Sequence, residues 1–263
     1  MDFIEANGVG LRYELSGRGQ QTVVLIHEMG GSLESWDEVA PVLAAGRRVL
    51  RYDTRGAGLS EKARGTLAID TMVDDLAALL DALGITGKVA LAGIAVGGAI
   101  ALHAAARLPQ RISAAVVGSP ATGIAPDRRL AVLARIERIE REGMRVAVDD
   151  SMANGYPPEL RADPVRFAAF RARWLGNDPA SYAAIYRMLA GTDLRDELPR
   201  IACPTLVLGG RLDRTRPPAL VEPVARLIPG ARYQLLETSH YMAVVTPELV
   251  AAAIGEFLDS RAA

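Results

Sequence analysis

Three stretches of this sequence hold residues suited to one chemistry, nucleophilic acyl transfer. The first, "LAGIAVGGA" at residues 91–99, sets glycines 93, 97 and 98 around a strand-to-helix junction. That is the punctuation of a nucleophile elbow, G-x-S-x-G, whose small neighbours let a strained turn lift one side chain clear of the sheet. The turn also sets the N–H of the following residue at a helix N-terminus, where it meets negative charge developing on an oxygen. The spacing puts Ala95 at the nucleophile position and Val96 as an oxyanion donor. No Ser, Thr or Cys lies between Gly87 and Ile112, so the turn comes without its oxygen. The second stretch, "LVLGGRLDRTRPP", closes an apolar run with Asp213, and the third, "YQLLETSHYMAVVTPE", carries His240. Nucleophile, acid, histidine is a known chain order for a triad. In such a unit the histidine takes the nucleophile's proton and the carboxylate fixes the histidine's tautomer.

The elements that must position these residues follow from hydrophobic periodicity. "LRYELSG", "TVVLIHE", "RRVLRYD", "KVALAG" and "ISAAVVGSP" read as strands, separated by helical patterns in "SLESWDEVAPVLAAG", "IDTMVDDLAALLDALG" and "VGGAIALHAAARLP". Strands alternating with helices specify a parallel, doubly wound sheet. From about Ala121 to Leu198 the pattern turns helical and Arg-rich, with no strand candidate, and then "PTLVLGG", "PALVEPVARLI", "ARYQLLE" and "PELVAAAIGEFL" resume the rhythm. The expected organisation is an α/β core of residues 1–120 and 199–263, interrupted by a helical cap at 121–198. Asp213 and His240 then fall at the C-terminal ends of strands, where open α/β sheets build their sites.

Other chemistries find little support. "HEMGG" at His27 has Gly31 where a zinc-binding H-E-x-x-H needs its second histidine, and no dinucleotide or P-loop glycine pattern occurs. Three histidines and one cysteine leave few ligands for a metal, so neither metal nor cofactor is expected. His27 reads as a loop-fixing hydrogen bonder and His103, inside an apolar helix, as a structural histidine. Cys203 has no partner for an internal disulfide and reads as a small buried hydrophobe. With 263 residues, a hydrophobic share of 50% and a net charge of −1, the chain suits a globular protein with no electrostatic pull toward nucleic acid or anionic membranes. The N-terminus has no secretory pattern and no stretch approaches the ~20 apolar residues of a membrane span. A cytoplasmic monomer or homodimer acting on a small molecule is the expectation.

Over essentially its whole length the chain resembles the α/β-hydrolase family, through "LIHEMGGSLESWD", "RVLRYDTRGAGLSE", "LLDALGI", "LAGIAVGGAIALHAAARLPQRI", "PTLVLGGRLDRTRPP" and "SHYMAVVTPELV". "VLRYDTRGAGLS", "GTDLRDELPRIACPTLVLGGRLDRTRPP" and "IPGARY" are most similar to 3-oxoadipate enol-lactonases and neighbouring ring-cleavage hydrolases of aromatic catabolism. The resemblance implies a second oxyanion donor, the backbone of Met29, and a site beneath the cap. Many relatives have His-Gly where this chain has His27-Glu28, which sets a carboxylate beside the oxyanion loop. Some carry their acid after the strand ending here in "VVGSPA", where this chain has Ser119, leaving Asp213 as the acid. Glu28, Trp174, Arg187 and Arg216 are the candidates for contact with substrate.

Alanine at position 95 keeps the turn and removes the oxygen, a deletion that costs on the order of 10⁶ in kcat in a triad enzyme. The sequence therefore reads as a hydrolase of small esters, lactones or related carbonyl compounds, inactivated by a Ser-to-Ala replacement of the kind used to trap substrate. Two alternatives stay open: a ligand-binding protein on the same fold, and a lyase- or dioxygenase-like enzyme using His240 as a base without a covalent nucleophile.

Overall fold

The computed structural model describes residues 1–260. Eight strands form one sheet: β1 (Asp2–Ala6), β2 (Val9–Ser16), β3 (Thr22–Ile26), β4 (Arg48–Tyr52), β5 (Val89–Ile94), β6 (Ile112–Gly118), β7 (Thr205–Gly210) and β8 (Arg232–Leu236). Their order is β1-β2-β4-β3-β5-β6-β7-β8; β1, β2 and β4 pair antiparallel and the rest are parallel. From β3 the chain winds outward to β4, then crosses back to β5 and proceeds to β8. The winding direction thus reverses between β3 and β5, the position at which doubly wound sheets open a crevice beyond their strand ends. Register pairs Ile26 with Gly93, so the loops leaving β3 and β5 emerge side by side.

Period-2 alternation sends the central strands' side chains into two layers. Val24, Ile26, Leu91 and Val117 pack with α2 (Ile69–Ala82), α3 (Val96–Arg107) and α8 (Pro218–Leu227). Val23, Leu25, Ala92 and Leu208 pack with α1 (Ala40–Ala44) and α10 (Pro247–Asp259) on the other face. The continuous apolar run of β3 is therefore buried at every position.

Two local expectations are corrected. "SLESWDEVAPVLAAG" is not one helix: a 3₁₀ turn at Leu33–Trp36 precedes the short α1. Pro41 lacks the N–H an inner turn requires, so it opens a new helix instead of extending one. The edge strand β1 was not expected from the sequence, since it is short and mostly exposed; its signal is the Asn7-Gly8 pair, with φ of 52° and 67°, that turns it into β2.

Between β6 and β7 lie α4 (Pro126–Glu142), α5 (Arg145–Gly155), α6 (Pro164–Leu175) and α7 (Pro179–Gly191), and among the described residues no strand interrupts them. An aromatic cluster of Tyr156, Phe170, Trp174 and Tyr182 holds them onto Tyr241 and Val244. A short helix, α9 (Met242–Val245), follows from that contact.

Candidate active site

The turn after β5 is strained as the sequence predicts. Ala95 has φ 52° and ψ −108°, a region L-residues rarely occupy. Its N–H donates to the Gly118 carbonyl (2.9 Å), and its carbonyl accepts from Ala99 and Ala121 N–H (3.0 Å each). The flanking glycines are required sterically. A Cβ on Gly97 would stand 2.2 Å from the Ile26 carbonyl oxygen, and one on Gly93 2.2 Å from that of Gly97. Val96 is the first residue of α3, so its N–H has no acceptor within the helix.

His240 and Asp213 meet as a buried pair, Nδ1 to Oδ2 at 2.8 Å. The second carboxylate oxygen of Asp213 accepts N–H from Thr215 (2.8 Å) and Arg216 (2.7 Å). Burial pushes the Asp213 carboxyl up, but the His240 ring and, after it, the Arg216 N–H outweigh it and hold it below the usual aspartate range. An acceptor-only carboxylate at Nδ1 puts the proton there and leaves Nε2 with its lone pair, the arrangement of a general base.

A cavity of about 620 Å³ opens over this pair, bounded by Met29, Ala95, Val96, His240, Tyr241 and Arg216 among others. The structure thus brings Ala95, Val96, Met29 and His240 to one wall, with Asp213 directly behind. Arg216 is the member of the four substrate candidates that reaches this space. Its Nη1 lies 3.5 Å from the Gly123 carbonyl, and its buried Nε has no hydrogen-bond partner among the described residues. Burial lowers its pKa, against the pull of Asp213.

The other three candidates lie elsewhere. Glu28 is buried and accepts from the Ser35 hydroxyl (2.7 Å), outside the cavity lining. Trp174 is fully buried behind the wall, edge-on to Tyr182 and close against Gly30. Arg187 is exposed and forks onto Glu140 (Nη1 to Oε1, 3.1 Å), so its charge is already matched away from the cavity. Sequence reasoning missed Tyr182, Tyr186 and Tyr241 on the cavity wall; the i, i+4 spacing of the first two on α7 and the adjacency of the third to His240 were the available signals.

The remaining histidines are structural. His27 Nδ1 donates to the Glu28 carbonyl (2.7 Å) and Nε2 accepts the Thr54 N–H (3.1 Å), fixing the loop that carries Met29. His103 bridges Glu197 (2.5 Å) and Asp70 (3.2 Å). Among the described residues no cluster of three or more His, Cys, Asp or Glu is placed to hold a metal, and no helix is long and apolar enough to cross a membrane.

Fold and site define the class, an α/β-hydrolase. The chain matches the model of the serine aminopeptidase family S33 over residues 17–240 and belongs to that family. It is 27% identical over 249 residues to 3-oxoadipate enol-lactonase 2 of Acinetobacter baylyi, covering 94% of this chain and 92% of that one. Among solved structures it is similar to a thermophilic esterase from Thermogutta terrifontis (TM-score 0.92, 28% identity, 99% of both chains). It is similar also to the enol-lactonase from Burkholderia xenovorans LB400 (TM-score 0.91, 29% identity, 98% of this chain and 100% of that one).

Proposed function

We propose that this scaffold hydrolyses small esters or lactones that carry a carboxylate, with residue 95 as the nucleophile position and the segment 121–198 as a cap over the site. The observation that carries the reading is the Asp213–His240 pair at 2.8 Å beside an elbow still wound to φ 52°. With alanine at 95 the chain as written holds base, acid and oxyanion donors but no attacking oxygen. In the Ala95→Ser form, His240 Nε2 takes the hydroxyl proton as the oxygen adds to the substrate carbonyl. The N–H groups of Met29 and Val96 hold the oxyanion, and Asp213 stabilises the imidazolium. Collapse expels the alcohol or enol oxygen, which takes the proton back from His240. Water activated by His240 then releases the acid. Arg216 is the proposed partner of the carboxylate, since it lines the cavity and forms no ion pair among the described residues. The Thermogutta esterase was solved with malate, a dicarboxylate, bound, which supports an anionic ligand here.

The test is hydrolysis of an activated ester and of a carboxylate-bearing enol-lactone by the chain as written and by Ala95→Ser. The serine form is expected to gain on the order of 10⁴–10⁶ in kcat. Equal rates in the two forms overturn the nucleophile assignment. Turnover by the alanine form that follows a single histidine ionisation would instead identify His240 as a base acting without covalent catalysis.

A further inference from the structure

We propose that the C-terminus of α5 positions the acid–base pair, with Gly155 as the joint and Ser239 as the positioning residue that engages it. An α-helix ends with carbonyls that lack intrahelical donors and must find partners elsewhere. Here the partners come from the two loops that carry Asp213 and His240. The Asn154 carbonyl accepts the N–H of Arg214, next to Asp213, at 3.2 Å. The Gly155 carbonyl accepts the Ser239 hydroxyl at 2.7 Å and the Tyr241 N–H at 3.2 Å, so one oxygen is gripped from both sides of His240.

Packing fixes the joint as firmly as the hydrogen bonds do. Ser239 is fully buried and Tyr241 nearly so. A Cβ on Gly155 would lie 2.5 Å from Cε2 of the Tyr241 ring, so that ring rests directly on the glycine backbone. Tyr241 in turn packs at a tilt against Phe170 of α6 (ring centroids 4.7 Å apart, planes at 54°). The inserted helices therefore do more than roof the cavity: the register of His240 against Asp213 is set by direct contact with the segment inserted between β6 and β7. A displacement of α5 moves both loops together, because all three contacts fall on two successive carbonyls.

The inference rests on the reading of Asp213 and His240 as an acid–base pair, and its primary test needs no turnover. The readout is the far-downfield Nδ1–H proton of His240 in the chain as written, assigned by its loss in His240→Gln. In Ser239→Ala that proton is expected to exchange with solvent about three- to tenfold faster, the weight of one neutral hydrogen bond. Gly155→Ala, which pushes on the Tyr241 ring, is expected to shift or broaden the same signal. Asp149→Ala, on an exposed stretch of α5 away from the joint, serves as the control for general loosening and leaves the signal in place. In the Ala95→Ser background, Ser239→Ala should lower kcat by a similar factor with KM unchanged. An Nδ1–H proton that exchanges at the parental rate in Ser239→Ala overturns the proposal, whatever the activity assays give. If that proton responds while Ala95→Ser stays inert, the positioning role stands and the hydrolytic reading fails.

Discussion

Replacing Arg216 by methionine should change stability and binding in opposite directions. The two buried arginines are matched, Arg12 facing Asp53 and Glu34 and Arg51 facing Glu14 and Asp37, and half-buried Arg55 faces Asp75. Arg216 instead has a buried Nε without a partner among the described residues and one long contact to the Gly123 carbonyl. An unsatisfied buried donor costs about 1–3 kcal/mol, taken at the low end here because the side chain is partly exposed. Methionine keeps the length and the backbone N–H that holds Asp213, while removing the unmatched group. The ligand-free Arg216→Met protein should therefore gain about 1 kcal/mol, a rise of about 2–4 °C in Tm for a chain of this size. A charged hydrogen bond to a carboxylate contributes about 1.5–3 kcal/mol, so affinity for an anionic ligand should fall about 10- to 150-fold. Calorimetric titration of the chain as written with malate and with its dimethyl ester measures this without turnover. The reasoning is refuted if the methionine form is less stable than the parent, or if it loses the diacid and the diester equally.

The Asp213 carboxyl, held below its usual range in the fold, stabilises the protein above its ordinary pKa, and that contribution drains away as pH falls through the folded value. Urea midpoints at pH 7 and pH 3 should thus differ less for Asp213→Asn than for the parent; equal differences contradict the assignment. Gly97→Ala forces a Cβ to within 2.2 Å of the Ile26 carbonyl oxygen and 2.6 Å of that of His27. Two backbones must part, so a loss of about 3 kcal/mol is expected, at the upper end for overpacking, and thermal unfolding that matches the parent excludes the contact.

The site's skeleton was legible because its signals are local. Glycines 93 and 97 mark the elbow by the backbone approach they permit, and Asp213 and His240 follow strand ends that hydrophobic runs define. Which candidates reach the cavity was less legible, because an arginine's placement depends on which carboxylate lies nearest in space. Arg187 and Arg216 look equivalent in sequence, yet Glu140, 47 residues away, takes the first, and among the described residues no carboxylate forms an ion pair with the second, which feels only the more distant pull of Asp213. Trp174 illustrates the same limit from packing. A large aromatic on α6 suits a cavity wall, but its burial against Gly30 and Tyr182 is set by how four helices stack, which no local pattern records.

The strain at Ala95 has a consequence in genetic terms. Glycine would occupy φ 52° at no steric cost, whereas alanine bears about 1–3 kcal/mol there. The fold therefore goes on carrying the mechanical cost of presenting a side chain at a place where no reactive atom stands. Alanine and serine codons differ by one base, so a single transversion would return an oxygen to a turn already wound to present it, facing a histidine already oriented to receive its proton. On the proposed reading of residue 95, the silent and active forms of this scaffold lie one mutational step apart, with no refolding of the site between them.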